Sequence, residues 1–160
     1  SKLSDVSLTI SLHAPNDKLR DELVPVNKKY PIKTLLKSVA NYVDQCNDSR
    51  VTTFEYILID RVNDSLELAN ELADLLKDFP CKINLIPFNS FSGSIYKRPS
   101  GNRVKRFQEH LHSKGHVVTI RSTRGDDIMA ACGQLIGKVN DRTRRKERKK
   151  KKELIKTKII

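Results

Sequence analysis

One pattern limits this chain more than any other. Apolar segments with a period of two alternate with segments whose apolar residues recur every three or four positions. Val6, Leu8, Ile10 and Leu12 interleave with Ser7, Thr9 and Ser11, which predicts a strand with one small polar face. His13-Ala14-Pro15-Asn16-Asp17 ends it, and a short helix opens at Lys18 and stops at Pro25. A second helix follows Pro31, with Ile32, Leu35, Leu36, Val39, Tyr42 and Val43 on one stripe. Beyond the turn at Asn47-Asp48-Ser49, the β-branched and aromatic residues 51–59 predict a strand. Asn63-Asp64-Ser65 caps a helix that runs to Phe79 and turns Leu68, Ala69, Leu72, Leu75, Leu76 and Phe79 inward. Residues 81–88 form a further strand, and Ser, Gly and Pro fill a loop over 89–101. A helix over 102–114 with Gly115 as its C-cap, a short strand over 116–121 and a capped helical segment over 128–135 complete the order.

The order is β-α-β-α-β-α-β, with connections long enough to join parallel strands. That predicts an α/β fold whose sheet is either open or part of a barrel. Four strands do not close a barrel, which takes about eight. The chain is therefore a small open domain or half of something larger, and it shows no internal repeat.

Charge is concentrated at one end. The 160 residues carry 31 Lys and Arg against 19 Asp and Glu, a net charge of +12, and residues 142–158 hold 11 of those bases with only 2 of the acids. The tail is a polycation over a nearly balanced body. Such a tail binds polyanions by releasing counterions, so nucleic acid is the first partner to consider, although a solvated helical tail accounts for the same charge. No apolar run approaches the ~20 residues of a bilayer crossing, so no membrane partner is expected.

In parallel α/β folds ligands lie beyond the carboxyl ends of the strands. Here those ends carry Ser11, Leu12 and His13; Asp60, Arg61, Asn63 and Asp64; Phe88 and Asn89; and Arg121, Thr123, Arg124, Gly125, Asp126 and Asp127. Each cluster also reads as caps and turns. Cys46, Cys81 and Cys132 make no CxxC or CxxxCxxC spacing, so no metal site built from this chain is expected. Cys46 and Cys81 read as small buried hydrophobes. Cys132 lies in Ala130-Ala131-Cys132-Gly133, where small neighbours suit either a tight helix contact or the approach of a bulky electrophile to sulfur. Glu55, inside a strand, either faces a barrel interior or pairs with a base. Phosphate-binding Gly-rich loops and the GxSxG elbow are absent from the sequence.

Five strings carry a resemblance: ISLHAPND (residues 10–17), RDELVPVNKKYPI (20–32), FEYILIDRVND (54–64), CKINLIPFN (81–89) and TRGDDIMAACGQL (123–135). Together they resemble the dual-specificity ribosomal- and transfer-RNA adenine methyltransferases of the radical-SAM superfamily, which methylate carbon 2 of an adenine. The resemblance implies the C-terminal half of a partial (β/α)6 radical-SAM barrel over residues 1–141 and a basic tail over 142–160. It implies that Ser11, Leu12, His13 and Asn89 bind S-adenosylmethionine and that Cys132 becomes S-methylated. In that chemistry a second S-adenosylmethionine, cleaved at a 4Fe–4S cluster, gives a deoxyadenosyl radical that activates the S-methyl group. The resulting carbon radical adds to the ring, and a second cysteine resolves the adduct. Carbon 2 of adenine is a poor nucleophile, so a tethered carbon radical does what polar methyl transfer cannot.

The family's CxxxCxxC cluster ligands, its Gly-Glu motif and its resolving cysteine are absent and lie upstream in the family order. The chain therefore reads as a C-terminal fragment, inactive alone and without a cluster of its own. The full-length enzyme implied is a cytoplasmic monomer that acts on ribosomal and transfer RNA and takes electrons from a donor. The alternatives are a non-catalytic RNA-binding α/β module and, more distantly, a small-molecule-binding α/β domain.

Overall fold

The computed structural model describes residues 7–45, 51–91 and 93–121. In chain order the elements are β1 (Thr9–Ser11), α1 (Asp17–Leu23), a 3-10 turn (Pro25–Lys28), α2 (Ile32–Gln45), β2 (Thr52–Leu58), α3 (Leu66–Leu76), β3 (Cys81–Pro87), α4 (Gly101–Ser113) and β4 (Val117–Ile120). The expected alternation is present. The turn, the tail, Cys46, Cys132, the rim loop over 123–127 and the helical segment over 128–135 lie outside the described residues.

Local chemistry sets the helix ends. Asn16 caps α1 by accepting from the Leu19 N–H, Ser65 caps α3 from Leu68, and Ser100 caps α4 from Arg103. After α4 the chain reverses through Gly115 at φ 89°, a left-handed conformation that glycine adopts without steric penalty. Pro25 stops α1 as expected, and Pro25–Lys28 wind into a 3-10 turn before α2.

The four strands form one sheet in the order β1-β2-β3-β4, and every pairing is parallel. The buried face of the sheet shares one core with α2, α3 and α4, so these helices lie on one side of it, as in a barrel wall rather than a doubly wound sheet. The registers agree. Phe54 pairs with Ile83, Tyr56 with Leu85 and Ile83 with Val118, and all of these are buried. They join Leu36 and Val39 of α2, Leu72 and Leu76 of α3, and Phe107 and Leu111 of α4 in a single core. Each large side chain so buried contributes roughly 1.5–3 kcal/mol. Tyr56 packs its ring on Phe107 with centroids 5.4 Å apart, and its hydroxyl donates to the Asn63 carbonyl at 2.9 Å.

The opposite face mixes Ile57, Ile86 and Val117 with polar residues and stays half-buried to exposed. Ser11, Glu55, Asn84 and Thr119 are register neighbours across all four strands and make a polar row on it. Thr119 donates to Asn84 at 3.1 Å. Glu55 lies half-buried on this face, away from the helices.

Candidate functional site

The carboxyl edge of the sheet gathers most of the residues picked from the sequence. The chain leaves β1 through Ser11, Leu12 and His13, and its backbone there is almost wholly committed. The Leu12 and His13 N–H groups both donate to the Glu55 carbonyl, at 3.0 and 3.3 Å. Arg20 donates through Nη2 to the Ser11 carbonyl at 3.1 Å and through Nε to the Leu12 carbonyl at 2.9 Å. The His13 carbonyl accepts from Asn63 Nδ2 at 3.0 Å. This lattice fixes His13 at φ 64°, a left-handed conformation that few non-glycine residues adopt.

The supports are themselves buried and satisfied. Arg20 is only 5% exposed, and its Nη1 donates to Asn27 Oδ1 at 2.6 Å. Asn27, buried in the 3-10 turn, donates to Asp17 and Asp21 at 2.9 and 2.7 Å. Asp17 also accepts the Ile32 N–H that opens α2, and that bond together with Asn27 holds its carboxyl below the usual range. Asn63, fully buried, accepts from the Ile59 N–H at 2.7 Å and donates to the Ile57 carbonyl at 2.6 Å. Asp64 takes a bidentate pair from Arg103, at 2.6 and 2.8 Å, and the Arg61 N–H at 2.9 Å.

With the backbone held, the side chains are left for other work. Leu12 enters the core, while the Ser11 side chain is exposed on the open face. His13 Nδ1 accepts the Ile57 N–H at 3.2 Å. A backbone amide can only donate, so Nδ1 carries no proton and the neutral ring is protonated at Nε2. Burial pushes the His13 pKa down, against an opposing pull from Glu55, and Arg20 lowers it further. His13 thus presents a neutral N–H donor. Asn89 follows β3 at the same edge, with β2 between it and the Ser11–His13 turn. It is half-buried, and its amide makes no hydrogen bond among the described residues. A hydroxyl, an imidazole N–H and a free carboxamide along one sheet edge suit a polar ligand that both donates and accepts.

Cys81 sits at the other end of β3, where burial pushes its thiol up to about 11, so it is a packing residue and not a nucleophile. Among the described residues no group of three His, Cys, Asp or Glu side chains could hold a metal ion. The sequence marked Asn63 and Asp64 as a cap and as part of the cluster past the second strand but not as supports of the first turn, and it did not single out Arg20 and Asn27.

The chain is 60% identical over 148 residues to the dual-specificity RNA methyltransferase RlmN of Pseudomonas entomophila, a match covering 92% of the chain and 39% of that relative. This chain is a relative of the RlmN dual-specificity RNA methyltransferases. The RlmN protein of Pseudomonas fluorescens is 58% identical over the same share of both chains. The chain spans 39% of the length of these curated relatives. Among solved structures, a radical SAM methyltransferase from Sphaerobacter thermophilus superposes with a TM-score of 0.77 at 49% identity, over 81% of this chain and 38% of that one. A domain of a pyruvate-formate lyase-activating enzyme from Bacteroides vulgatus, at 20% identity and a TM-score of 0.57, shares the fold over 72% of this chain and 66% of its own. No protein-family model matches the chain. The family resemblance carried by the five sequence strings is thus the relationship the comparisons find, and the barrel-wall sheet accords with it.

Proposed function

We propose that this chain belongs to a radical-SAM methyltransferase acting on carbon 2 of adenine in ribosomal and transfer RNA. Within it, Ser11, Leu12, His13 and Asn89 bind S-adenosylmethionine. The observation that supports this is the division of labour at the Ser11–His13 turn. Arg20 and Asn63 hold its carbonyls, which leaves the Ser11 hydroxyl and the His13 Nε2 proton for a ligand beside the uncommitted amide of Asn89. These groups fit a cofactor with an amino-acid and a nucleoside part.

S-adenosylmethionine supplies the methyl group, and Cys132 is the residue proposed to carry it. Residues 1–141 form the barrel half that orients cofactor and base, and the basic tail over 142–160 grips phosphates without reading sequence. The iron–sulfur cluster implied by the family does not fit the described residues, which offer no set of three ligands. Localisation in the cytoplasm, a monomeric state and an external electron donor complete the proposal. No helix of the described residues is long and apolar enough to cross a membrane.

Calorimetric titration of S-adenosylmethionine into the chain tests the site. Binding is expected, weakened at least ~10-fold by Asn89→Ala or His13→Ala, since each removes a hydrogen bond to a buried polar ligand. Mass spectrometry of full-length protein made in cells tests Cys132, where an added methyl is expected. Absence of that methyl, with methylation of RNA retained in Cys132→Ala, overturns the assignment.

A further inference from the structure

The loop between β3 and α4 leaves the sheet just past Asn89 and is stiffly built. Phe88 packs against Phe91 with centroids 6.2 Å apart and meets Tyr96 edge-on at 6.1 Å. Ser94 Oγ donates to the Tyr96 carbonyl at 3.2 Å and accepts the Tyr96 N–H at 3.1 Å. The Arg98 N–H donates to Ser90 Oγ, and the Asp60 N–H to the Lys97 carbonyl at 3.0 Å. Gly93 turns the chain at φ 88°.

This framework holds one side chain away from everything. Ile95 is 86% exposed, the most exposed large hydrophobic residue among those described. Its neighbours Ser94, Tyr96 and Lys97 are each tied to the protein, and their contacts turn the Ile95 side chain outward. Cations flank the tip. Lys97 is exposed, and its backbone is tied to Asp60, next to Arg61, whose side chain is 87% exposed and pairs loosely with the Asp60 carboxylate at 3.8 Å, an exposed pair that a phosphate can displace. Residues 89–100 contain no acid. A rigid apolar point between exposed cations is poorly matched to an apolar protein surface and well matched to nucleic acid, where apolar wedges part stacked bases and cations hold the phosphates.

We propose that Ile95 is an RNA wedge: it inserts beside the target adenine and fills the place the base leaves, while Arg61 and Lys97 hold the flanking phosphates. The inference rests on the RNA reading above and deepens it. An adenine inside a stack cannot present carbon 2 to a group seated at the sheet edge, so the base must be unstacked. Ile95 stands on the loop that follows Asn89, where a base entering the site would leave its neighbours.

The test uses the 160-residue chain and a stem–loop RNA with 2-aminopurine beside a loop adenosine, whose fluorescence rises when its neighbour unstacks. The chain is expected to bind and to raise the fluorescence. Ile95→Ser, at an exposed position and with its fold checked by circular dichroism, is expected to abolish the rise while weakening binding by no more than about tenfold, the scale of one lost stacking contact. Ile95→Leu is expected to restore the rise. Arg61→Ala with Lys97→Ala is expected to make the dependence of log affinity on log salt shallower by about 2. Binding without a rise, or a rise that Ile95→Ser keeps, overturns the wedge and leaves the RNA reading intact. A failure of the chain to bind the RNA at all overturns both.

Discussion

Replacing Asn63 by aspartate changes almost no volume and inverts one half of a fully buried side chain. The Oδ1 acceptor for the Ile59 N–H survives, but the Nδ2 donor that serves the His13 and Ile57 carbonyls becomes an oxygen. A carboxylate there would face two carbonyl oxygens without water, so the Asn63→Asp carboxyl is expected to stay protonated in the fold and keep one of the two lost donations. Its folded pKa is then raised above the unfolded value of about 3.9. The sign follows from linkage: the protonated form's stability is fully present below about pH 4 and is lost as pH rises toward the folded pKa. At about 1.4 kcal/mol per pH unit, a folded pKa of 7 or more costs about 4 kcal/mol between pH 4 and pH 7. A further loss of about 1–3 kcal/mol at all pH values comes from the carbonyl left without a donor. Urea titrations followed by circular dichroism, with wild type run beside the variant at each pH, read the difference directly. At a slope of ~2 kcal/mol per molar urea, the midpoint gap at pH 7 should exceed about 2 M and should narrow on acidification. A gap below ~0.5 M that does not change with pH would show that Asn63 does not lock the turn.

Arg20→Met removes three donations from a buried guanidinium and strands the Ser11 and Leu12 carbonyls and Asn27 Oδ1. It should cost about 3–5 kcal/mol by urea denaturation, and a loss under ~1 kcal/mol would refute the network. Nitrogen-15 spectra should show His13 protonated at Nε2 alone at neutral pH, with a titration midpoint below the usual ~6.5. Because that pKa is depressed, the neutral ring's contribution to stability is full above ~6.5 and is lost as pH falls through the folded value. A midpoint above 6.5 would contradict the Ile57–His13 hydrogen bond. Arg103→Ala leaves the Asp64 side chain, 1% exposed, with the Arg61 N–H as its remaining donor. A loss of about 1.5–3 kcal/mol by thermal or urea unfolding is expected, and an unchanged stability would mean that water replaces the pair without penalty.

Periodicity found the elements because their packing is repetitive. Of the expected inward residues, Ala69, Leu72 and Leu76 of α3 are buried, Leu75 and, just past the helix, Phe79 pack against the core, and Leu68 stays half-buried outside it. Ala73 was missed because so small a side chain adds little to a hydrophobic stripe. The first strand is shorter than its alternation suggests. The Leu12 and His13 amides both turn onto the single Glu55 carbonyl, and the ladder ends there, an event of backbone geometry that no side chain announces. The supports of the site were hidden for the same reason. Arg20 and Asn63 act on carbonyl groups, which every residue carries alike, so a charged residue reads as solvent-facing and a buried asparagine as a cap. Ser11, His13 and Asn89 stood out as residues past strand ends, but their ligand came only with the family resemblance.

The nearest-neighbour order of the sheet has a consequence for how the chain is made. Each strand docks on the one synthesised just before it, once the helical connection between them has been completed, so every pairing is available as soon as its second member clears the ribosome. No ribbon has to wait for a partner encoded far downstream, and each closure bridges only the helical connection between neighbouring strands. Assembly can therefore run as a zipper from the amino end, with Ser11–His13 locked by Arg20 as soon as α1 has formed and by Asn63 once the second ribbon has been laid.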